Sequence, residues 1–163
     1  MTDATAAEVV ALASARLATV ATAESLTGGG VAAALTAVAG ASSVIRGGVV
    51  AYASDLKVSL LGVPQAVVDE YGVVSAECAK AMAVGVRERL GASYGVATTG
   101  VAGPGEQEGK PVGRVFVAVA GPGPAEVVEL ALSGDRDQIR TATVTYALEF
   151  TLRVLRREEP AVG

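Results

Sequence analysis

At 163 residues and a net charge of −4, the chain is long enough for one domain and offers no basic face of the kind that nucleic acid or an anionic membrane requires. Hydrophobic residues make up 51% of it, yet no apolar run reaches the ~18 residues of a membrane span, and the first residues lack the basic region of a secretory signal. A single cytoplasmic domain over 1–163 with a small-molecule partner is the expectation, and its one cysteine, Cys78, reads as a buried small hydrophobe.

Ala6, Val9, Val10, Ala13 and Arg16 recur at helical spacing and predict an N-terminal helix over 5–16. A strand follows over 17–22, then the turn Ala23-Glu24-Ser25-Leu26-Thr27-Gly28-Gly29-Gly30, then a helix over 28–39 that Gly40 ends. Residues 46–52 read as a second strand, in which Gly47 and Gly48 mark a bulge or a close backbone approach. A helical turn over 55–61 is closed by Gly62 and Pro64, and another short helix spans 64–71. Ser75 N-caps a helix running to Leu90, with Gly91 as its stop and Cys78, Ala79, Met82, Ala83, Val86 and Leu90 on its apolar face.

Residues 94–99 form a third strand, 99–105 a second glycine-rich turn and 106–111 a polar loop. Strands over 113–120 and 126–132 meet across Gly121-Pro122-Gly123-Pro124 as a hairpin, which makes the sheet mixed. Asp135 and Gln138 form a capping box for a last helix with the core stripe Ile139, Tyr146, Ala147, Phe150 and Val154. Its basic end, Arg153, Arg156 and Arg157, is answered by Glu158 and Glu159. The sum is an α/β fold, a three-layer α/β/α single domain with a mixed sheet of about five strands.

Two readings of the turn at 23–30 stand side by side. A strand-to-helix turn leaves the first helical N–H groups without partners, and three glycines let a ligand approach the backbone, so the turn suits an anion, an oxyanion or a nucleophile such as Ser25. Alternatively, Ser25 or Thr27 is an N-cap and the glycines permit close packing. The chain contains no histidine, which excludes a Ser-His-Asp triad and a His-ligated metal within it. An activated serine then needs another base, and a desolvated lysine is the usual substitute; the candidates are Lys57, Lys80 and Lys110. Ligands of open α/β sheets bind beyond the carboxyl ends of strands, where Glu24–Gly30, Tyr52–Lys57 and Thr98–Gly105 are expected to lie. Arg136 and Arg140, one helical turn apart near a helix start, either hold an anion such as a phosphate or pair with Asp135 and Asp137 at the surface.

Glu24-Ser25-Leu26-Thr27-Gly28-Gly29, Tyr52 with Lys57, Gly62-Val63, Val74-Ser75, Thr99-Gly100-Val101-Ala102-Gly103-Pro104, Lys110-Pro111-Val112-Gly113 and Ser133-Gly134-Asp135-Arg136 together resemble the CinA C-terminal domain family. The resemblance runs from about residue 5 to 155, and standalone members look like nicotinamide-nucleotide amidohydrolases. It implies deamidation of nicotinamide mononucleotide to nicotinate mononucleotide and ammonia, with Ser25 as nucleophile and Lys57 as base. On this reading Thr27, Gly28, Gly29, Tyr52, Thr99, Gly100, Ala102, Arg136 and Arg140 surround the substrate, no metal or other cofactor is needed, and the chain forms a homodimer. Ser54 stands where relatives usually carry Asn, and Gly105-Glu106-Gln107-Glu108-Gly109 replaces a loop with paired glycines. These departures keep two alternatives: a non-catalytic pyridine-nucleotide binding module, and an amidase for another small carboxamide.

Overall fold

The computed structural model describes residues 2–158. In chain order the elements are α1 (Thr2–Ala15), β1 (Val20–Glu24), α2 (Gly30–Thr36), a 3-10 turn (Ala41–Ser43), β2 (Ile45–Val50), α3 (Ser54–Ser59), α4 (Gln65–Tyr71), α5 (Ala76–Leu90), β3 (Tyr94–Gly100), β4 (Arg114–Ala120), β5 (Glu126–Ala131) and α6 (Arg136–Arg157). The five strands form one sheet in the order β2-β1-β3-β4-β5. β1 pairs parallel with β2 and β3, and β3-β4 and β4-β5 are antiparallel, so the mixed sheet matches expectation.

Strand alternation builds two cores. Val115, Val117 and Val119 of β4 face a layer made by α1, α2 and α6, whereas Phe116, Ala118 and Ala120 face α5. Small residues on the α5 side let that helix lie close to the sheet, and the three layers follow.

Several boundaries differ from the sequence reading. α1 stops at Ala15, and the chain leaves it through Leu17 in the left-handed region (φ 55), with that side chain 93% exposed. Ala18 N–H bonds back to Ala13 C=O, which delays β1 to Val20 and leaves Arg16 outside the helix, donating to Leu155 C=O. α2 ends at Thr36, and Gly40 (φ 88) instead precedes the 3-10 turn. The glycine pair in β2 marks a bulge: Val20 pairs with Ile45 but Ala21 with Gly47. Tyr146, expected in the core stripe of α6, is 43% exposed. The basic end of α6 is paired elsewhere than predicted: Arg156 with Glu8, Arg157 with Glu126, and Arg153 over the Phe150 ring at 5.0 Å. Glu158 accepts from the Tyr94 hydroxyl, and Glu159 lies outside the described residues.

This topology positions a site. The carboxyl ends of β1, β2, β3 and, through two antiparallel steps, β5 all open on one edge of the sheet, so the segments after each of them converge there.

Candidate active site

Ser25 immediately follows β1, its N–H bonded to Thr98 C=O of the neighbouring strand at 3.1 Å. The preceding Glu24 is 1% exposed, and its carboxylate accepts from Val31 N–H (2.7 Å), Ala32 N–H (3.0 Å) and Thr27 Oγ1 (2.6 Å). The N-terminus of α2 therefore already holds an anion, one from the chain itself. Gly29, in the left-handed region at φ 100, is the N-cap residue and contributes no side-chain bond. This corrects one part of each reading of the turn: neither Ser25 nor Thr27 caps the helix, and the Val31 and Ala32 N–H groups are taken by Glu24 rather than open to a ligand anion.

Lys57 projects from α3 into the sheet edge and is 1% exposed. Its Nζ lies 3.0 Å from Ser25 Oγ, 2.7 Å from Ala51 C=O and 3.4 Å from Tyr52 C=O. None of the ion pairs among the described residues involves it. Burial lowers the Lys57 pKa from the ordinary 10.5, and the negative charge of Glu108 offsets part of that effect. Lys57 Nζ donates to Ser25 Oγ and to both carbonyls; once the amine gives up a proton, its two remaining hydrogens suit the carbonyls and its lone pair suits the Ser25 hydroxyl. Burial also pushes the Cys78 thiol up to about 11, so the cysteine stays a neutral, buried thiol near neutral pH, as expected for a packing residue.

A cleft of about 340 Å³ opens over this pair, lined by Ser25, Leu26, Tyr52, residues 100–103, residues 105–107 and Arg136. Arg136 donates to Gly103 C=O (2.6 Å) and to the Tyr52 hydroxyl (3.1 Å), which sets an arginine at the mouth beside a 60%-exposed tyrosine. The N–H groups of Leu26, Ala102 and Gly103 donate to no partner among the described residues.

The structure thus brings Ser25, Tyr52, Gly100, Ala102 and Arg136 to the cleft, with Lys57 against Ser25, and it leaves the remaining expected residues out of the lining. Thr27 is 2% exposed and bonded to Glu24 and to Thr98 Oγ1 at 2.8 Å. Thr99 Oγ1 donates to Val73 C=O at 2.7 Å, tying the end of β3 to the α4-α5 connection. Gly28 backs onto the Arg140 guanidinium and Gly29 onto Val50. Arg140 donates from Nε to Leu26 C=O at 2.9 Å and so braces the serine turn. Glu24 and Thr98 were missed as organisers of that turn; an acid at the end of an otherwise apolar strand was the available signal.

A three-layer α/β domain with a buried serine-lysine pair at the carboxyl edge of its sheet is the class that this fold and site define. The family model described as CinA C-terminal domain matches residues 2–155, and the chain belongs to that family. A CinA-like protein of Frankia casuarinae is 50% identical over 140 residues, covering 86% of this chain and 32% of the relative. One from Dictyoglomus thermophilum is 43% identical over 148 residues, covering 90% and 36%. The chain thus spans about a third of the length of the curated relatives it matches. Among solved structures, a CinA superfamily protein from Klebsiella pneumoniae superposes with a TM-score of 0.93 at 30% identity, covering 97% of this chain and 99% of that one. The competence/damage inducible protein CihA from Agrobacterium tumefaciens gives 0.90 at 39% identity, covering 95% of each chain.

Proposed function

We propose that this domain hydrolyses the carboxamide of nicotinamide mononucleotide through a Ser25 acyl-enzyme, with Lys57 as its base. The observation that carries the reading is the buried Lys57 amine, 3.0 Å from Ser25 Oγ with two carbonyls beside it. Ser25 Oγ bonds to the carboxamide carbon as its proton passes to the Lys57 lone pair. The tetrahedral oxyanion forms near the unpartnered Leu26, Ala102 and Gly103 N–H groups, where such donors are worth roughly 3 kcal/mol each. Lys57 returns the proton to the leaving nitrogen as the C–N bond breaks, and ammonia departs. Water, deprotonated by the same amine, then attacks the ester; its carbon–oxygen bond to Ser25 breaks, Oγ regains a proton, and nicotinate mononucleotide is released. Arg136 supplies the cation for the substrate phosphate, held in place by Gly103 and Tyr52.

Ammonia release from nicotinamide mononucleotide is the direct test. Ser25→Ala and Lys57→Ala should each reduce turnover by roughly 10³-fold or more, as removal of one member of a cooperating pair does. An unchanged rate in either variant rejects the pair, and calorimetric binding of the mononucleotide with no ammonia makes the domain a binding module instead.

A further inference from the structure

We propose that Glu108 is a positioning residue: it latches the hairpin over 105–110 to the segment before α5 and thereby sets the far wall of the cleft. This rests on the reading of Ser25 and Lys57 as the working pair. Gly105, Glu106 and Gln107 line the cleft, and the segment folds back on itself through Gln107 N–H to Lys110 C=O (3.3 Å) and Lys110 N–H to Gln107 C=O (2.8 Å). At the corner of this hairpin Glu108 adopts φ 52, a left-handed conformation that a residue with a Cβ rarely takes without compensation.

The compensation is visible on the other side. Glu108 Oε2 accepts from Val73 N–H at 3.0 Å and Oε1 from Val74 N–H at 2.9 Å, a two-point grip on consecutive amides. Gly72 makes room for it: a Cβ there would lie 2.6 and 2.8 Å from the two carboxylate oxygens. Lys110 adds a second stitch, donating to Tyr71 C=O (3.0 Å) and Val74 C=O, with Glu108 3.9 Å away. The gripped segment is itself fixed to β3 by the bond from Thr99 Oγ1 to Val73 C=O. The far wall is thus referenced to the strand beside Ser25 through Glu108, although Glu108 does not line the cleft. Its charge also reaches the base. Of the titratable groups acting on Lys57, Cys78 on α5 stays a neutral thiol near neutral pH, and Glu108 on the hairpin is the charge that favours the protonated amine.

Two variants separate placement from charge. Gly72→Ala drives a methyl into the carboxylate and leaves every charge in place; Glu108→Gln removes the charge and one acceptor. The readouts are KM, kcat and pH profile of ammonia release, with hydrogen exchange at Val73 and Val74 reporting the latch itself. Both variants should exchange faster there and show KM raised roughly fivefold or more with plateau kcat nearly unchanged, as loss of placement predicts. The ascending pH limb should move to lower pH in Glu108→Gln alone, because only that variant removes a charge that holds the proton on Lys57.

Faster exchange with KM unchanged in both variants makes the hairpin mere scaffolding and overturns the proposal, as does wild-type exchange in Glu108→Gln. Thermal denaturation checks folding, and Glu108→Asp, which keeps the charge and shortens the reach, replaces Gly72→Ala if that variant does not fold. A wild-type protein that releases no ammonia fails the deamidase reading alone. The latch is then judged on the same criteria from the concentration and pH dependence of Ser25 labelling by a fluorophosphonate.

Discussion

Lys57 is the residue on which the chemistry and the stability of this domain pull in opposite directions. Burying an amine among apolar groups disfavours its charged form, so the folded chain holds the Lys57 proton less tightly than the unfolded chain does. The unfolded state binds more protons between the lowered pKa and 10.5, and stability therefore rises with pH through that window. Lys57→Met, close in volume and without charge, should abolish ammonia release yet melt at or above the wild-type temperature. The gain should be greatest at low pH, on the order of 1 kcal/mol for each unit of lowered pKa, and shrink as pH approaches 10.5. A variant that melts several degrees lower at every pH would count against a destabilising amine. The serine and the lysine were legible in the sequence because a histidine-free chain restricts the base and the family motifs mark the pair. Glu24 was not, because its carboxylate reaches back over a turn to Val31 and Ala32, at a spacing wider than any capping box.

Element boundaries followed the apolar patterning well wherever a helix or strand faces a core, and poorly where backbone geometry decides. α5 matched from its Ser75 cap, which accepts from Cys78 N–H, to Gly91, and the capping box of α6 is present as read. β1 began later than its β-branched run suggested because the exit from α1 takes up residues 16–19, a geometric need that side-chain pattern does not report. Gly85 is silent in the same way. It sits inside the helical pattern of α5 with no turn signal, yet a Cβ there would meet the Leu61 carbonyl oxygen at 1.8 Å. Leu61 closes the segment after α3, where Val63 N–H also bonds to Lys57 C=O at 3.1 Å. Gly85→Ala should therefore cost about 1–3 kcal/mol by overpacking. It should also lower kcat by moving Lys57 away from Ser25, which denaturant titration and ammonia release would measure together. Full kcat in a destabilised variant would disconnect the α3-α5 contact from the site.

At the scale of the molecule, the strand order brings four loop ends to one sheet edge, and this convergence is what composition alone left open. Among the described residues, no helix is long and apolar enough to cross a membrane. The two arginines near the start of α6, equivalent by spacing, separate in three dimensions: Arg136 turns to the cleft mouth and Arg140 to the back of the serine turn. Arg136→Ala should raise KM for the mononucleotide roughly tenfold or more while leaving the corresponding riboside unaffected, since only the former carries a phosphate. Equal losses on both substrates would assign Arg136 to the architecture of the mouth.

The depth of Lys57 carries a further chemical meaning. Lys80 is exposed and Lys110 partly so, whereas Lys57 combines a lowered pKa with near-complete burial. A deprotonated amine is the nucleophile that adds to cyanate and to aldehydes, so the lowered pKa that suits Lys57 to the proposed proton transfer also suits it to carbamoylation by cyanate. At 1% exposure, with the Ala51 and Tyr52 carbonyls against its amine, Lys57 is shielded as well as deprotonated, so access and basicity together set its susceptibility.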